Sequence, residues 1–209
     1  MNRTLINDTT YGELWAHHVE KIETTVKKAL CAHPRTFALR VDLHLPDYDA
    51  DRFTGIDSAV ITRFFESLKA KVRADRIRKR NGGGRDHQSE VRYVWTREFE
   101  QSGVKPHYHV LILLNKDVYH SLGNYQSNDG TLALMLQQAW YSALGFACPE
   151  IPERRTLVYF PDRPHYWLDT RSDNFEKVYT DVMFRARYMA KVRSKRNDDG
   201  YRSFGCSQY

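Results

Sequence analysis

Cysteine is scarce in this sequence: only Cys31, Cys148 and Cys206 occur among 209 residues. They are odd in number and lie far apart, which excludes a disulfide framework and predicts a reducing compartment. Long apolar runs are also lacking, since a run such as Val110–Leu114 is far too short to cross a bilayer. The polar N-terminus MNRTLINDTT contains no secretory signal. We therefore expect a cytoplasmic protein with no membrane partner.

Nucleotide-binding loops and internal repeats are lacking as well. The glycines at 82–84 are not followed by the GK[ST] of a P-loop, so they predict no nucleotide site. Without repeats or low-complexity segments, no domain boundary is indicated. A chain of this length with 41% apolar residues can bury one sizeable core. We predict a single domain over residues 1–209, with an N-terminal helical extension over 1–34 and a flexible tail over 197–209.

Positive charge is in excess, with 32 Lys and Arg residues against 26 Asp and Glu residues and a net charge of +6. This balance suits an anionic partner. The excess is concentrated in the second half of a helix predicted over residues 57–80, with Asp57 as its N-cap. Such a run is either an ordinary solvated face or a phosphate-binding surface. On the second interpretation, the DNA-binding candidates are Lys69, Arg73, Arg76 and Arg80, together with Arg185 and Lys195 from a later helix.

The stretch Val91–Asn115 predicts two strands joined by a short polar turn over residues 101–104. His107 and His109 are two residues apart, so both rings project from the same face of the second strand. A turn centred after residue 102 pairs Glu98 of the first strand with His107. Two imidazoles and a carboxylate then meet at one point, which predicts a divalent metal site.

A His-x-His pair also arises by chance in a chain with 9 histidines, and two solvent-facing histidines on an edge strand are the alternative. The strand predicted over residues 36–45 has an apolar face and a polar face. Its polar face, which includes Asp42, either faces water or lines a site. Asp42 and Thr96 are the substitutes for Glu98 as the third ligand.

The last periodic segment, residues 174–195, predicts a helix that places Tyr188 and Lys191 one turn apart. The pair is either a nucleophile with a nearby cation or a half-buried tyrosine on a basic surface helix. Tyr179 lies two and a half turns earlier and points to nearly the opposite face. Tyr201 lies in the predicted tail. If the chain uses a tyrosine nucleophile, Tyr188 is the candidate, and both interpretations of it stay open at this point.

The alternation of strands 36–45 and 91–99 gives each of them one apolar face for helices to cover. We predict an α+β fold, a central antiparallel sheet with helices packed mainly on one face.

Together these motifs resemble the HUH endonuclease superfamily, which has His-x-His on a central strand, an acidic or polar residue on its neighbour, and a Tyr often followed by Lys on a later helix. More narrowly, the chain resembles the prophage YagK/YfjJ family, which is close to the inovirus-type replication proteins. The resemblance spans residues 35–196 and is carried by FALRVDLHLP, WTREFE…KPHYHVLILLN, AW…ALG, LVYFP and RYMAKVRSK. It implies an HUH domain, a variant of the ferredoxin-like arrangement.

The resemblance also implies a function, that of a metal-dependent endonuclease and replication initiator of a prophage or inovirus-like element in a bacterial cytoplasm. Mg²⁺ or Mn²⁺ at Glu98, His107 and His109 would orient the scissile phosphate. Tyr188 would attack it and form a 5′-phosphotyrosine, while Lys191 would stabilise the developing phenolate. The implied substrate is single-stranded DNA or a DNA hairpin, with host replication proteins as potential partners.

Two alternatives stay open from the sequence. One is a catalytically inactive DNA-binding or regulatory prophage protein that keeps the HUH fold without nicking. The other is a metal-dependent hydrolase without a covalent step, which would not need Tyr188.

Overall fold

The computed structural model describes residues 4–46, 59–84, 87–99, 105–126, 130–146, 156–193, 195 and 199–208. Its elements, in chain order, are β1 (Leu5–Asp8), β2 (Gly12–Trp15), α1 (Ala16–Ala32), β3 (Arg35–His44), α2 (Val60–Asn81), β4 (Arg92–Phe99), β5 (Pro106–Asn115), α3 (Leu132–Ala143), β6 (Val158–Tyr159), β7 (His165–Asp169), α4 (Phe175–Arg187), a 3₁₀ turn (Tyr188–Ala190) and β8 (Phe204–Cys206). The predicted Asp57 cap and the hairpin turn at residues 101–104 lie outside the described residues.

The central sheet contains six strands in the described part of the chain. Five of them follow the order β6–β3–β5–β4–β8, and the sixth, β7, pairs with β3 on the same side as β6. Every strand pair in it is antiparallel. β1 and β2 form a separate hairpin. The predicted α+β class with a central antiparallel sheet is confirmed.

Helices cover both faces of this sheet, so the prediction that they pack mainly on one face is wrong. One face, with Phe37 and Ile112, packs against α2 and α3. The other, with Ala38 and Leu111, packs against α1 and α4. The reason is visible in β5, where the run Val110–Leu114 is apolar on both sides and therefore needs two covering layers. Among the helices of the described residues, none has the length and apolar character to cross a membrane.

The N-terminal region is part of the core and not a helical extension. Leu5–Asp8 and Gly12–Trp15 are strands within the predicted helical extension, and α1 begins only at Ala16. Ile22 and Val26 of α1 are fully buried in the apolar layer on the second sheet face.

The predicted flexible tail is also wrong for residues 199–208. Phe204–Cys206 forms β8, which pairs with β4 at the sheet edge. The Phe204 ring stacks on His18 of α1 with 4.0 Å between ring centroids, and Asp199 accepts a hydrogen bond of 2.7 Å from Arg97. These contacts hold in place a segment whose polar composition predicts a flexible terminus.

The last helix is shorter than its apolar periodicity predicts. α4 ends at Arg187, and the 3₁₀ turn Tyr188–Ala190 follows. Lys191 is already extended and bridges to Leu14 of β2, while the Val192 amide donates to the Glu13 carbonyl at 2.9 Å. Pairing with the N-terminal hairpin therefore replaces helical hydrogen bonds at this point.

Candidate active site

Three adjacent strands bring polar side chains together at one end of the sheet face that α1 and α4 cover. The register places His109 of β5 between Asp42 of β3 and Thr96 of β4. Glu98 of β4 lies directly opposite His107. The cross-strand pairing predicted from the turn position is therefore present, and all these side chains share one face because strand side chains alternate.

Glu98, His107 and His109 form a compact group of potential metal ligands. His107 Nε2 lies 3.1 Å from His109 Nε2, and His109 Nε2 lies 3.5 Å from Glu98 Oε2. One ligand atom from each residue lies within 4.8 Å of the others. Two atoms that bind one ion at about 2.1 Å, with an angle of 90–110° between them, are roughly 3.0–3.4 Å apart. The spacing and the donor types thus fit a divalent cation.

Asp42 orients the His109 ring from behind. Asp42 Oδ1 lies 2.8 Å from His109 Nδ1 and accepts a hydrogen bond of 2.9 Å from Arg40 Nε. Arg40 Nη2 also lies 2.8 Å from His109 Nδ1. Both contacts cannot be hydrogen bonds at once, because Nδ1 either carries a proton or accepts one. We place a proton on Nδ1, since a carboxylate is the better partner. When Nε2 is also protonated it donates to Glu98, and a metal ion that displaces that proton would meet the Nε2 lone pair facing Glu98 and His107.

The charges around the group favour the metal-binding forms of its side chains. Burial raises the pKa of Glu98, but the hydrogen bond to His109 and the nearby positive charges of Lys195 and Lys191 outweigh it and hold the pKa at about 2. Burial, with the neighbouring His109, lowers the pKa of His107 to about 4. At neutral pH Glu98 is therefore ionised and His107 is neutral.

Two buried lysines face the same carboxylate. Lys191 Nζ lies 2.8 Å from Glu98 Oε2, and Lys195 Nζ lies 3.5 Å from Glu98 Oε1. Burial lowers the pKa of Lys195 to about 8. The Lys195 side chain is 0% exposed, so it cannot serve as the surface DNA-binding residue that the sequence predicts. It belongs to the site, because α4 ends at Arg187 and the Lys195 ammonium faces Glu98.

Tyr188 lies beside this group. Its ring packs edge-on against His109, with 5.2 Å between ring centroids, and is half-buried. Lys191 Nζ lies 3.5 Å from the centre of the Tyr188 ring, and Arg40 Cζ lies 5.3 Å from it. The structure thus brings Tyr188 and Lys191 together as predicted, although through a 3₁₀ turn and not along an α-helix. Sequence reasoning missed Arg40, whose only signal was its position on the polar face of β3.

The other predicted DNA-binding residues lie elsewhere. Arg185 donates to the backbone oxygens of Arg163 and Asp162, at 2.6 and 3.0 Å, and so fastens a loop to α4. The α2 candidates lie on the helix that packs against the opposite sheet face. Three of them line a cleft of about 500 Å³ beside β4, namely Lys69, Arg73 and Arg76. Arg80 lies farther along the same helix. The predicted set therefore does not form one continuous surface around the histidines.

Comparison with known proteins identifies the family. The model of the YagK/YfjJ C-terminal domain matches residues 1–207. The chain belongs to this family. It is 39% identical over 208 residues to Uncharacterized protein YagK of Escherichia coli (strain K12), a match that covers 95% of this chain and 98% of that protein. It is 38% identical over 209 residues to Uncharacterized protein YfjJ of the same strain, covering 96% of this chain and 98% of that protein. No solved structure matches this YagK/YfjJ-family chain.

Proposed function

We propose that this YagK/YfjJ-family protein is a metal-dependent endonuclease of the HUH type, which nicks single-stranded DNA through a covalent bond to Tyr188. The observation that carries the proposal is the meeting of a Glu–His–His group, a tyrosine ring and two buried lysines at one end of the sheet. A ferredoxin-like HUH arrangement is consistent with the central antiparallel sheet, whose middle strand β5 carries the two histidines.

The metal would be Mg²⁺ or Mn²⁺, held by Glu98, His107 and His109. When bound there it would act as a Lewis acid on a phosphate oxygen. Asp42 keeps the His109 ring in the orientation that presents Nε2. The carboxylate suits either cation, the two imidazoles suit the transition metal Mn²⁺ better than Mg²⁺, and open positions are left for water or phosphate.

The covalent step uses the Tyr188 oxygen. It attacks the phosphorus and forms a 5′-phosphotyrosine, while the bond between phosphorus and the 3′-oxygen breaks. The phenol loses its proton and the leaving 3′-oxygen gains one, so a free 3′-OH results. A phenol with an ordinary pKa near 10 is a weak nucleophile at neutral pH. The Lys191 ammonium, 3.5 Å from the ring centre, stabilises negative charge that develops on the phenolate.

This chemistry suits replication initiation by a mobile element. One phosphodiester is exchanged for another, so the strand can be rejoined, and the free 3′-OH can prime synthesis by host replication proteins. The substrate would be a single strand or an extruded hairpin. In a stacked duplex the target phosphate would be shielded from in-line attack by the tyrosine. We place this activity in the bacterial cytoplasm.

One observation favours a second candidate function. Glu98 already faces two lysine ammonium groups, so its charge is balanced without a metal ion. A buried ion-pair group of this kind can be purely structural. A protein with that design would bind DNA as a regulator and would not cut it.

The deciding experiment traps the covalent adduct. The protein is incubated with Mn²⁺ and 3′-labelled single-stranded oligonucleotides, and labelled protein is sought on a denaturing gel. We expect an adduct with the wild type and with Tyr179→Phe, a matched control on the preceding helix α4, but none with Tyr188→Phe, which should still bind DNA. Cleavage that survives in Tyr188→Phe would indicate a metal-dependent hydrolase. Binding without any cleavage by the wild type would indicate the regulatory protein.

A further inference from the structure

The N-terminal hairpin holds an aromatic side chain in a fixed turn. Tyr11 lies between β1 and β2, and its amide and that of Thr10 both donate to Asp8 Oδ1, at 3.0 and 2.9 Å. Gly12 follows with φ of +76°, in the left-handed region that glycine adopts without strain. A side-chain carboxylate that caps its own turn restricts the backbone, and so the direction of the Tyr11 ring is restricted as well.

The same hairpin is joined to the segment that carries the candidate nucleophile. Leu14 of β2 is buried and bridges to Lys191, and the Val192 amide donates to the Glu13 carbonyl. An isolated two-stranded hairpin is only marginally stable in water. These contacts with residues 191–192 are therefore part of what holds Tyr11 in place.

Tyr11 completes a row of three rings that begins at Tyr188. Its ring centroid lies 5.7 Å from that of Tyr188 and 5.2 Å from that of Phe184. Phe184 lies one helical turn before Tyr188 and is 48% exposed, which is a large apolar area to leave in water. The Arg40 guanidinium supplies a positive charge 5.3 Å from the Tyr188 ring centre.

We propose that Tyr11 and Phe184 form a stacking surface for a base of the DNA strand next to the phosphate that Tyr188 attacks. The proposal rests on the proposed function, because it places the strand at Tyr188. Phe184 is exposed and Tyr11 is half-buried beside it, and aromatic rings next to cations are typical of surfaces that bind single-stranded nucleic acid. Every base has an aromatic face, so this contact holds a strand without reading its sequence. It would position the nucleotide while the metal-ligand group positions the phosphate.

The test measures binding without cleavage, in the Tyr188→Phe background and in the presence of EDTA. Binding of a single-stranded oligonucleotide is compared with binding of the same oligonucleotide carrying abasic sites. We expect Phe184→Leu and Tyr11→Leu each to weaken binding of the first about tenfold and binding of the abasic strand far less. Phe184→Trp should restore the affinity. Trp167→Leu should change nothing, because it removes an aromatic residue, 51% exposed, that lies on β7 opposite Phe37 of β3 and far from the site.

Two results would overturn the stacking surface: unchanged affinity in both leucine variants, or an equal reduction on intact and abasic strands. Thermal unfolding of each variant checks that the hairpin and α4 remain folded. The adduct assay separates this proposal from the nicking proposal. Leucine variants that bind and form adduct like the wild type reject the stacking surface alone. A wild type that binds through Tyr11 and Phe184 but never forms adduct rejects nicking alone.

Discussion

Asp42 Oδ1 lies 2.8 Å from His109 Nδ1, on the opposite side of the imidazole from the Nε2 atom that faces His107 and Glu98. This contact connects the C-terminal end of β3 to the candidate metal ligands of β4 and β5. Asp42 is not itself a ligand, but it sets the tautomer and the orientation of the ligand His109.

Replacing this carboxylate should therefore weaken metal binding without removing a ligand. We expect Asp42→Asn to lower the Mn²⁺ affinity about 10- to 100-fold, because the amide cannot stabilise the Nδ1 proton as a carboxylate does. Isothermal titration calorimetry measures this directly. Asp75→Asn is the matched control, since Asp75 is a buried carboxylate on α2 that contacts Tyr119 and no histidine of the site. An unchanged affinity in Asp42→Asn would show that Asp42 does not orient the ligand.

Acid should destabilise the metal-free protein over a defined pH range. Burial lowers the pKa of His107 to about 4 and that of His18 to about 3, against 6.5 for ordinary histidines. Between pH 6.5 and 4 the unfolded chain binds protons that the folded chain does not, so the free energy of unfolding should fall as the pH falls. Glu98, with its pKa held at about 2, adds a further destabilisation below about pH 4.5.

Urea unfolding at several pH values between 7 and 4, with EDTA present, measures this dependence. His18→Phe keeps an aromatic ring for the stack on Phe204 but cannot be protonated. We expect this variant to lose part of the pH dependence while it remains folded at pH 7. The same slope in the variant and the wild type would show that His18 is not held neutral.

The basic surface of α2 can be tested apart from the site. Arg73 and Arg80 are exposed on this helix, so the double variant Arg73→Glu with Arg80→Glu should fold normally. If α2 contacts phosphates, its affinity for single-stranded DNA should fall for all sequences alike. The dependence of log affinity on log salt should also become shallower, by about 0.7 for each phosphate that the helix no longer neutralises. Lys177→Glu on α4 is the exposed control. A salt dependence equal to that of the wild type would limit DNA to the other face of the sheet.

The C-terminal strand should be intolerant of a single added methyl group. A Cβ atom at Gly205 of β8 would lie 2.6 Å from Trp95 Nε1 and 2.7 Å from its Cε2. We expect Gly205→Ala to lower the free energy of unfolding by about 1–3 kcal/mol, as overpacking does. In Gly82→Ala the new methyl group would have no neighbour nearer than 3.6 Å and should have little effect. Equal stability of the two variants would mean that β8 is not packed against Trp95.

Local patterns sufficed to predict the centre of the site. The position of the turn fixed the pairing of Glu98 with His107, because the register of a hairpin follows from its turn. The side-chain hydroxyl of Thr131 caps α3, accepting from the Leu134 amide at 3.2 Å, as its place before an apolar run predicts. Both features depend on residues that are close in sequence.

The features that sequence reasoning missed depend on distant residues. The sequence around Lys191 contains no glycine or proline that would end a helix. Lys191 leaves helical structure because it pairs with Leu14 of β2. From the sequence, Lys195 is expected to be a cation on the protein surface. Its side chain is instead buried, in contact with Glu98, which is 97 residues away in the sequence. The second helical layer did leave a signal, since Leu111 and Leu113 share a face with the histidines and need cover.

The pairing of Leu14 with Lys191 sets an order of events during synthesis. The strands that carry Asp42, Glu98 and His109 leave the ribosome before the Tyr188 segment and β8 do. The first and last parts of the chain must then find each other, as Lys28 does when it donates to the Gln208 carbonyl 180 residues away. Such distant contacts form late. On the proposed function, the candidate metal ligands are therefore synthesised before the tyrosine that would cut DNA.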